Sequence, residues 1–201
     1  MFERFTKEAR AAVAGAVTFS QDAGEDSITE EHLLLSLLDQ DSGRAAFALT
    51  ALGVTDRRAS LEAALGEARR LGGLTKADTE ALAGLGIDVG EIVARIEEEH
   101  GEGALAEDGR VRRRRSGRRP LTAGAKGVLV GSLRIAVGRG DRFIGGEHLL
   151  LALVARPGVV ADVLAEHGAS YATVERALYG AGREDGAGRE DGGGAAEAAA
   201  G

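Results

Sequence analysis

The run Glu-His-Leu-Leu-Leu-x-Leu is written twice in this chain, at 31–37 and at 147–153. A carboxylate next to an imidazole can move a proton, help hold a metal or orient a ligand, so the first question is what Glu31/His32 and Glu147/His148 could do. A metal centre is not supported: no second histidine lies at ligand spacing, His100 and His167 are isolated at helix ends, and cysteine is absent. A serine nucleophile has no G-x-S-x-G turn to carry it. No G-x-x-x-x-G-K-[ST] loop is present to cradle a triphosphate; the nearest string, AGAKGV at 123–128, lacks the spacing and the hydroxyl. The expectation is a chain with no catalytic residues, no metal and no cofactor. His32 and His148 then read as hydrogen-bonded core residues in the first turn of Leu-rich helices. Glu31 and Glu147 read as first-turn acids that complement the helix dipole.

The elements around these residues also repeat. Thr6 is an N-cap candidate, and Ala9, Ala12, Val13, Ala16, Val17 and Ser20 follow as a narrow stripe of small residues at helical spacing, closed by Gly24. Thr29 caps a second helix whose buried face is Leu33, Leu34, Leu37 and Leu38. A third ends at Gly53, and Thr55 or Asp56 is expected to cap a fourth carrying Leu61, Leu65 and Ala68. The second copy lies 116 positions later: Thr6 maps to Thr122, Phe5 to Leu121, Ile28 to Ile144, Leu33 to Leu149 and Leu37 to Leu153. YATVERALYG then stands for the fourth helix. Two four-helix units of about 60 residues are too small to be stable apart, so the pattern predicts one all-α domain with pseudo-twofold symmetry.

Composition agrees. Hydrophobic residues make up 44% of the 201, but aromatics only 3%, so the core must be built from Leu, Val, Ile and Ala, which suits packed helices. A net charge of −7 weighs against general nucleic-acid binding. No N-terminal apolar leader and no apolar run near about 18 residues is present, and the expected location is the cytoplasm. The expected organisation is a first repeat over 1–70, a helical insert over 71–109, an Arg-rich linker over 110–119, a second repeat over 120–179 and a low-complexity, flexible tail over 180–201. The insert carries Leu82, Leu85, Ile87, Val89, Ile92, Val93 and Ile96 as an apolar face. The linker has seven Arg in ten residues, which opens an alternative role as a nucleic-acid-associated regulator.

The blocks MFERFTKEAR, TEEHLLLSLL and AFALTALGV, then PLTAGAKGVL and FIGGEHLLLALV, resemble the two copies of the Clp N-terminal repeat domain of ClpC-type unfoldases. Without a Walker loop the chain is similar to the stand-alone Clp N-domain proteins that lack the AAA+ motor. The resemblance implies an all-α fold of two four-helix repeats. It also implies a role in binding proteins: a Clp ATPase, its substrates or its adaptors, with the chain acting as adaptor or decoy. In ClpC-type domains each repeat has a pocket for phosphoarginine. Carried over by motif, Glu31 and Glu147 face the guanidinium, and Thr6 and Thr122 sit at the phosphoryl end. Without the resemblance these four read as N-caps and dipole partners. Phe2, Leu121 and Lys126 fall where the family has an exposed apolar surface used by adaptors and peptide-like ligands. Gly146 stands where the first copy has Glu30. This difference predicts a looser second helix start and a stronger pocket at Glu31.

Overall fold

The computed structural model describes residues 2–101, 103–107 and 119–180. The Arg-rich run up to Arg118, the tail from 181 onward and the side chain of Phe2 lie outside the described residues. Ten α-helices and three short 3-10 turns make up the regular structure among the described residues.

Helix α1 (Lys7–Asp22) begins at Thr6, which is extended and accepts the amide of Ala9 on its hydroxyl at 3.2 Å. Its buried stripe is Ala9, Ala12, Ala16 and Ser20, and Gly24 turns the chain away at φ +68°. The small residues let α2 (Glu30–Leu38) approach closely: a Cβ at Gly15 would overlap the Ser36 hydroxyl. In the second copy α7 (Ala123–Arg139) and α8 (Gly146–Ala155) meet in the same way, with Gly131 against Ala152.

Helix α3 (Arg44–Ala51) ends before Gly53, as the sequence implies. The start of α4 (Arg58–Arg70) differs from expectation. Neither Thr55 nor Asp56 caps it; residues Thr55–Arg57 form a 3-10 turn that runs straight into α4. Val54 before that turn already has helical dihedrals, φ −70° and ψ −39°, so no residue is extended in the way a side-chain cap requires. In the second copy α9 (Val159–Glu166) is followed by α10 (Tyr171–Tyr179), and there Ser170 is extended and does cap.

The third and fourth helices are exchanged between the copies. Helix α4 packs on α9, and α10 on α3. Arg44 donates from α3 to the Leu178 carbonyl at 2.9 Å, and Ser60 on α4 meets His167 Nε2 at 3.1 Å. One continuous core results, in which Leu33, Leu37, Leu49, Leu61 and Leu65 of the first copy meet Leu149, Leu153, Leu164 and Val174 of the second. At about 1.5–3 kcal/mol for each large aliphatic side chain buried, this shared core is what holds both copies folded.

The insert folds as α5 (Lys76–Gly84) and α6 (Val89–His100). Val89 and Val93 bury with Leu71 in a small separate cluster, and Arg70 on α4 pairs with Glu97 at 3.0 Å. The expected apolar face is therefore split. Leu85 (78% exposed), Ile87 and Ile92 point to solvent, while α6 packs on α5 and on the 3-10 turn Ala104–Glu107. No single helix among the described residues is long and apolar enough to cross a membrane.

Candidate functional site

Two isolated parallel bridges join the copies. Thr6 donates its amide to the Ile144 carbonyl and Ile144 donates to Arg4; Thr122 donates to Ile28 and Ile28 to Pro120, at 2.7–2.9 Å. These bonds set the start of each long helix next to the short loop of the other copy. Thr6 therefore comes beside the start of α8, and Thr122 beside the start of α2. The pairs expected within one repeat are crossed: the threonine at the Glu31 end is Thr122, and the one at the Glu147 end is Thr6.

The start of α2 is built by a capping box. The Thr29 hydroxyl accepts the His32 amide at 3.4 Å, and His32 Nδ1 accepts the Thr29 amide at 3.0 Å. In α8, Gly145 has no side chain to offer, but His148 Nδ1 still accepts its amide at 2.9 Å. With Nδ1 facing an N–H, the ring proton sits on Nε2, which in His148 donates to Asp141 at 2.9 Å. The equivalent His32 Nε2 lies 3.7 Å from Glu25. Both histidines are buried, which matches the structural role read from sequence. Burial holds the His32 imidazole below its usual pKa, against the opposing pull of Glu25 and aided by Arg69 and Arg119.

Glu31 and Glu147 have side chains only 15% and 14% exposed, so both carboxylates are set into the surface at equivalent places. Glu31 faces Arg69 at 3.2 Å and Glu147 faces Arg44 at 3.8 Å. Burial raises the Glu31 pKa more than Arg69 lowers it, and Glu25 and Glu62 add to the rise. Arg44 also lies over the Tyr179 ring, with Arg139 stacked on the ring as well at 3.4 Å.

Each threonine hydroxyl has an acid for a neighbour. Thr122 accepts the Ala125 amide at 3.1 Å and donates to Glu30 at 3.2 Å. Thr6 has Glu8 in the first turn of the helix it caps, and the Glu8 backbone first, then the Thr6 side chain, hold the Glu8 pKa below its usual value. Among the partner-surface residues, Lys126 is exposed, whereas Leu121 is half-buried against the core because its backbone pairs with Ile28. No group of His, Asp and Glu among the described residues could hold a metal ion. The arginines that meet the acids, Arg44, Arg69 and Arg156, were not singled out by the sequence. Their signal is weak, since each lies near a helix end far in sequence from its acid.

The profile of the Clp repeat (R) N-terminal domain matches residues 4–81, 71–167 and 120–184. The chain is 31% identical over 170 residues to the chloroplastic ATP-dependent Clp protease ATP-binding subunit ClpA homolog of Brassica napus, covering 84% of this chain and 15% of that protein. It is 28% identical over 171 residues to the negative regulator of genetic competence ClpC/MecB of Bacillus subtilis, covering 85% of this chain and 16% of that protein. The chain thus spans about a sixth of the length of these relatives. The crystal structure of the N-terminal domain of ClpD from Arabidopsis thaliana superposes with a TM-score of 0.52 at 17% identity, covering 90% of this chain and 96% of that one, and has the same fold. With the family profile matching both copies, the chain belongs to the Clp repeat N-terminal domain family.

Proposed function

We propose that this chain is a non-enzymatic protein-binding module of the Clp proteolysis system, working in the cytoplasm as an adaptor or decoy that recognises phosphoarginine-marked proteins. The family supports the coarser part, a protein-interaction role among Clp components. One observation carries the finer part: Glu31 and Glu147, at symmetry-related helix starts, are mostly buried and yet remain at the surface beside a threonine-capped helix of the other copy. A carboxylate fits the planar donors of a guanidinium, and a helix N-terminus with a hydroxyl fits a phosphoryl group. Burial raises the pKa of Glu31, so its ionised form is held at some cost to stability, which suits a ligand-facing role better than a purely structural one.

The test is a pull-down of the full chain from native lysate with and without free phosphoarginine, together with isothermal titration of phosphoarginine into wild type, Glu31→Gln and Glu147→Gln. Binding in wild type that is lost in at least one variant supports the reading. No binding in wild type, or undiminished binding in both variants, overturns the phosphoarginine part and leaves the protein-binding module.

A further inference from the structure

We infer that Glu30 is a specificity-determining residue: its carboxylate occupies the phosphoryl end of the Thr122/Glu31 pocket, so that this pocket is closed to external anions while its Thr6/Glu147 counterpart is not plugged across the repeat interface. The inference rests on the phosphoarginine reading above and assigns it to one pocket of the two.

Glu30 crosses from α2 to the first turn of α7. One oxygen accepts from the Thr122 hydroxyl at 3.2 Å, and the other lies 3.6 Å from Arg156 Nε. The surface of α7 is cut to receive this pair. A Cβ at Gly124 would overlap the Glu30 carboxylate, and one at Gly127, a turn further on, would overlap the Arg156 guanidinium. The acid therefore sits where an incoming anion would meet the Thr122 hydroxyl and the positive end of α7. The Glu30 side chain is 29% exposed and tied on two sides.

None of these parts is repeated in the other copy. The position equivalent to Glu30 is Gly146, the one equivalent to Arg156 is Gln40, and those equivalent to Gly124 and Gly127 are Glu8 and Ala11. Gln40 donates to the Glu8 carbonyl at 2.9 Å instead of clamping an acid. Glu8 itself is an exposed side chain on its own helix, with its own backbone and Thr6 as the near groups that favour its charge. It can rotate into solvent, whereas Glu30 is held from α2 by two partners on the other copy. The acid at α7 is thus a fixed plug delivered by α2, and the acid at α1 is a local and displaceable one. This orders the pockets opposite to the expectation drawn from Gly146, because Glu30 lies on the Thr122 hydroxyl while Thr29 supplies the α2 cap.

Isothermal titration of phosphoarginine into the full chain reads the stoichiometry. One site per chain is expected in wild type, abolished by Glu147→Gln and unaffected by Glu31→Gln. Two sites are expected in Glu30→Gly, which copies the second repeat, and in Glu30→Ala, which keeps a better helix former if the glycine variant unfolds. Two sites in wild type would support phosphoarginine binding and overturn the plug. One site in wild type and still one in both Glu30 variants would overturn it as well, as would a single wild-type site that is lost in Glu31→Gln. No site in wild type but one in the Glu30 variants would support the plug and overturn binding at Thr6/Glu147. No site in any variant would overturn both.

Discussion

Thr6 donates its backbone N–H to the carbonyl of Ile144 over 2.9 Å, and the bond joins the first residues of one repeat to the second-helix loop of the other. Thr122 and Ile28 do the same in the opposite sense. With the exchanged packing of α4 on α9 and α10 on α3, neither repeat closes its own core. Residues 1–70 expressed alone should lack a cooperative thermal transition and give a reduced helical signal in circular dichroism, while the full chain melts in one step with no sheet signal. A fragment as stable as the whole would refute the shared core.

Glu31→Gln should leave stability at pH 7 equal to wild type or slightly higher. The folded-state pKa of Glu31 is raised, so its favourable contribution is present below the ordinary carboxylate pKa of about 4.3 and is lost as pH rises through the higher folded value. At neutral pH the ionised, mostly buried group therefore opposes folding, and Gln removes that opposition. Arg69 is half exposed and stays solvated without its partner. Urea unfolding at pH 7 and pH 4 checks this: a variant clearly weaker at pH 7 would place Glu31 among residues that stabilise the fold. In whichever pocket is open, the equivalent Glu→Gln should weaken phosphoarginine by about 10- to 100-fold, since a hydrogen bond to a charged group is typically about 1.5–3 kcal/mol.

His32 makes stability fall with acid. Its pKa is lowered by burial, so the unfolded chain takes up the proton first, and stability is lost as pH drops from about 6.5 toward the lower folded value. Protonation also removes the Nδ1 lone pair that accepts the Thr29 amide. His32→Gln keeps an acceptor at the third position of the capping box but does not titrate. The variant should show a flatter stability profile between pH 6.5 and 5 in urea titrations, whereas His32→Ala should lose about 0.5–2 kcal/mol at pH 7 along with the box. Equal pH slopes in wild type and His32→Gln would assign the acid sensitivity to other groups.

Gly15→Ala should destabilise the chain by about 1–3 kcal/mol, because its Cβ would meet the buried Ser36 hydroxyl. Gly15→Ala with Ser36→Ala should recover part of that loss, since it removes the hydroxyl and leaves the position-36 Cβ 3.2 Å from the new methyl. Chemical denaturation of the two single variants and the double variant measures the coupling directly.

The purified chain should neither bind nor hydrolyse ATP, because the sequence has no G-x-x-x-x-G-K-[ST] loop of the kind that cradles a triphosphate. A fluorescent nucleotide titration and a phosphate-release assay check this, and activity that survives further purification would reveal a site of another kind.

The helices and their doubling are legible in local pattern alone. Periodicity of Leu33, Leu34, Leu37 and Leu38, repeated 116 residues later, fixes which faces are buried, and such faces need only local spacing to be read. The caps Thr6, Thr29 and Thr122 were legible for the same reason: a cap is a contact within one turn. The cap expected at Thr55 or Asp56 failed because the backbone of the preceding turn, which pattern does not encode, was already helical. The contacts between elements distant in sequence, most of them between the copies, are not written in any local pattern. Only the folded chain shows that Thr122 rather than Thr6 meets the α2 start, that Arg44 and Arg69 answer Glu147 and Glu31, and that Glu30 lies on the Thr122 hydroxyl with Arg156 beside it. These are contacts between side chains tens to more than a hundred residues apart in sequence. The sequence holds their partners, but only the packing of helices within and between the repeats brings them within reach.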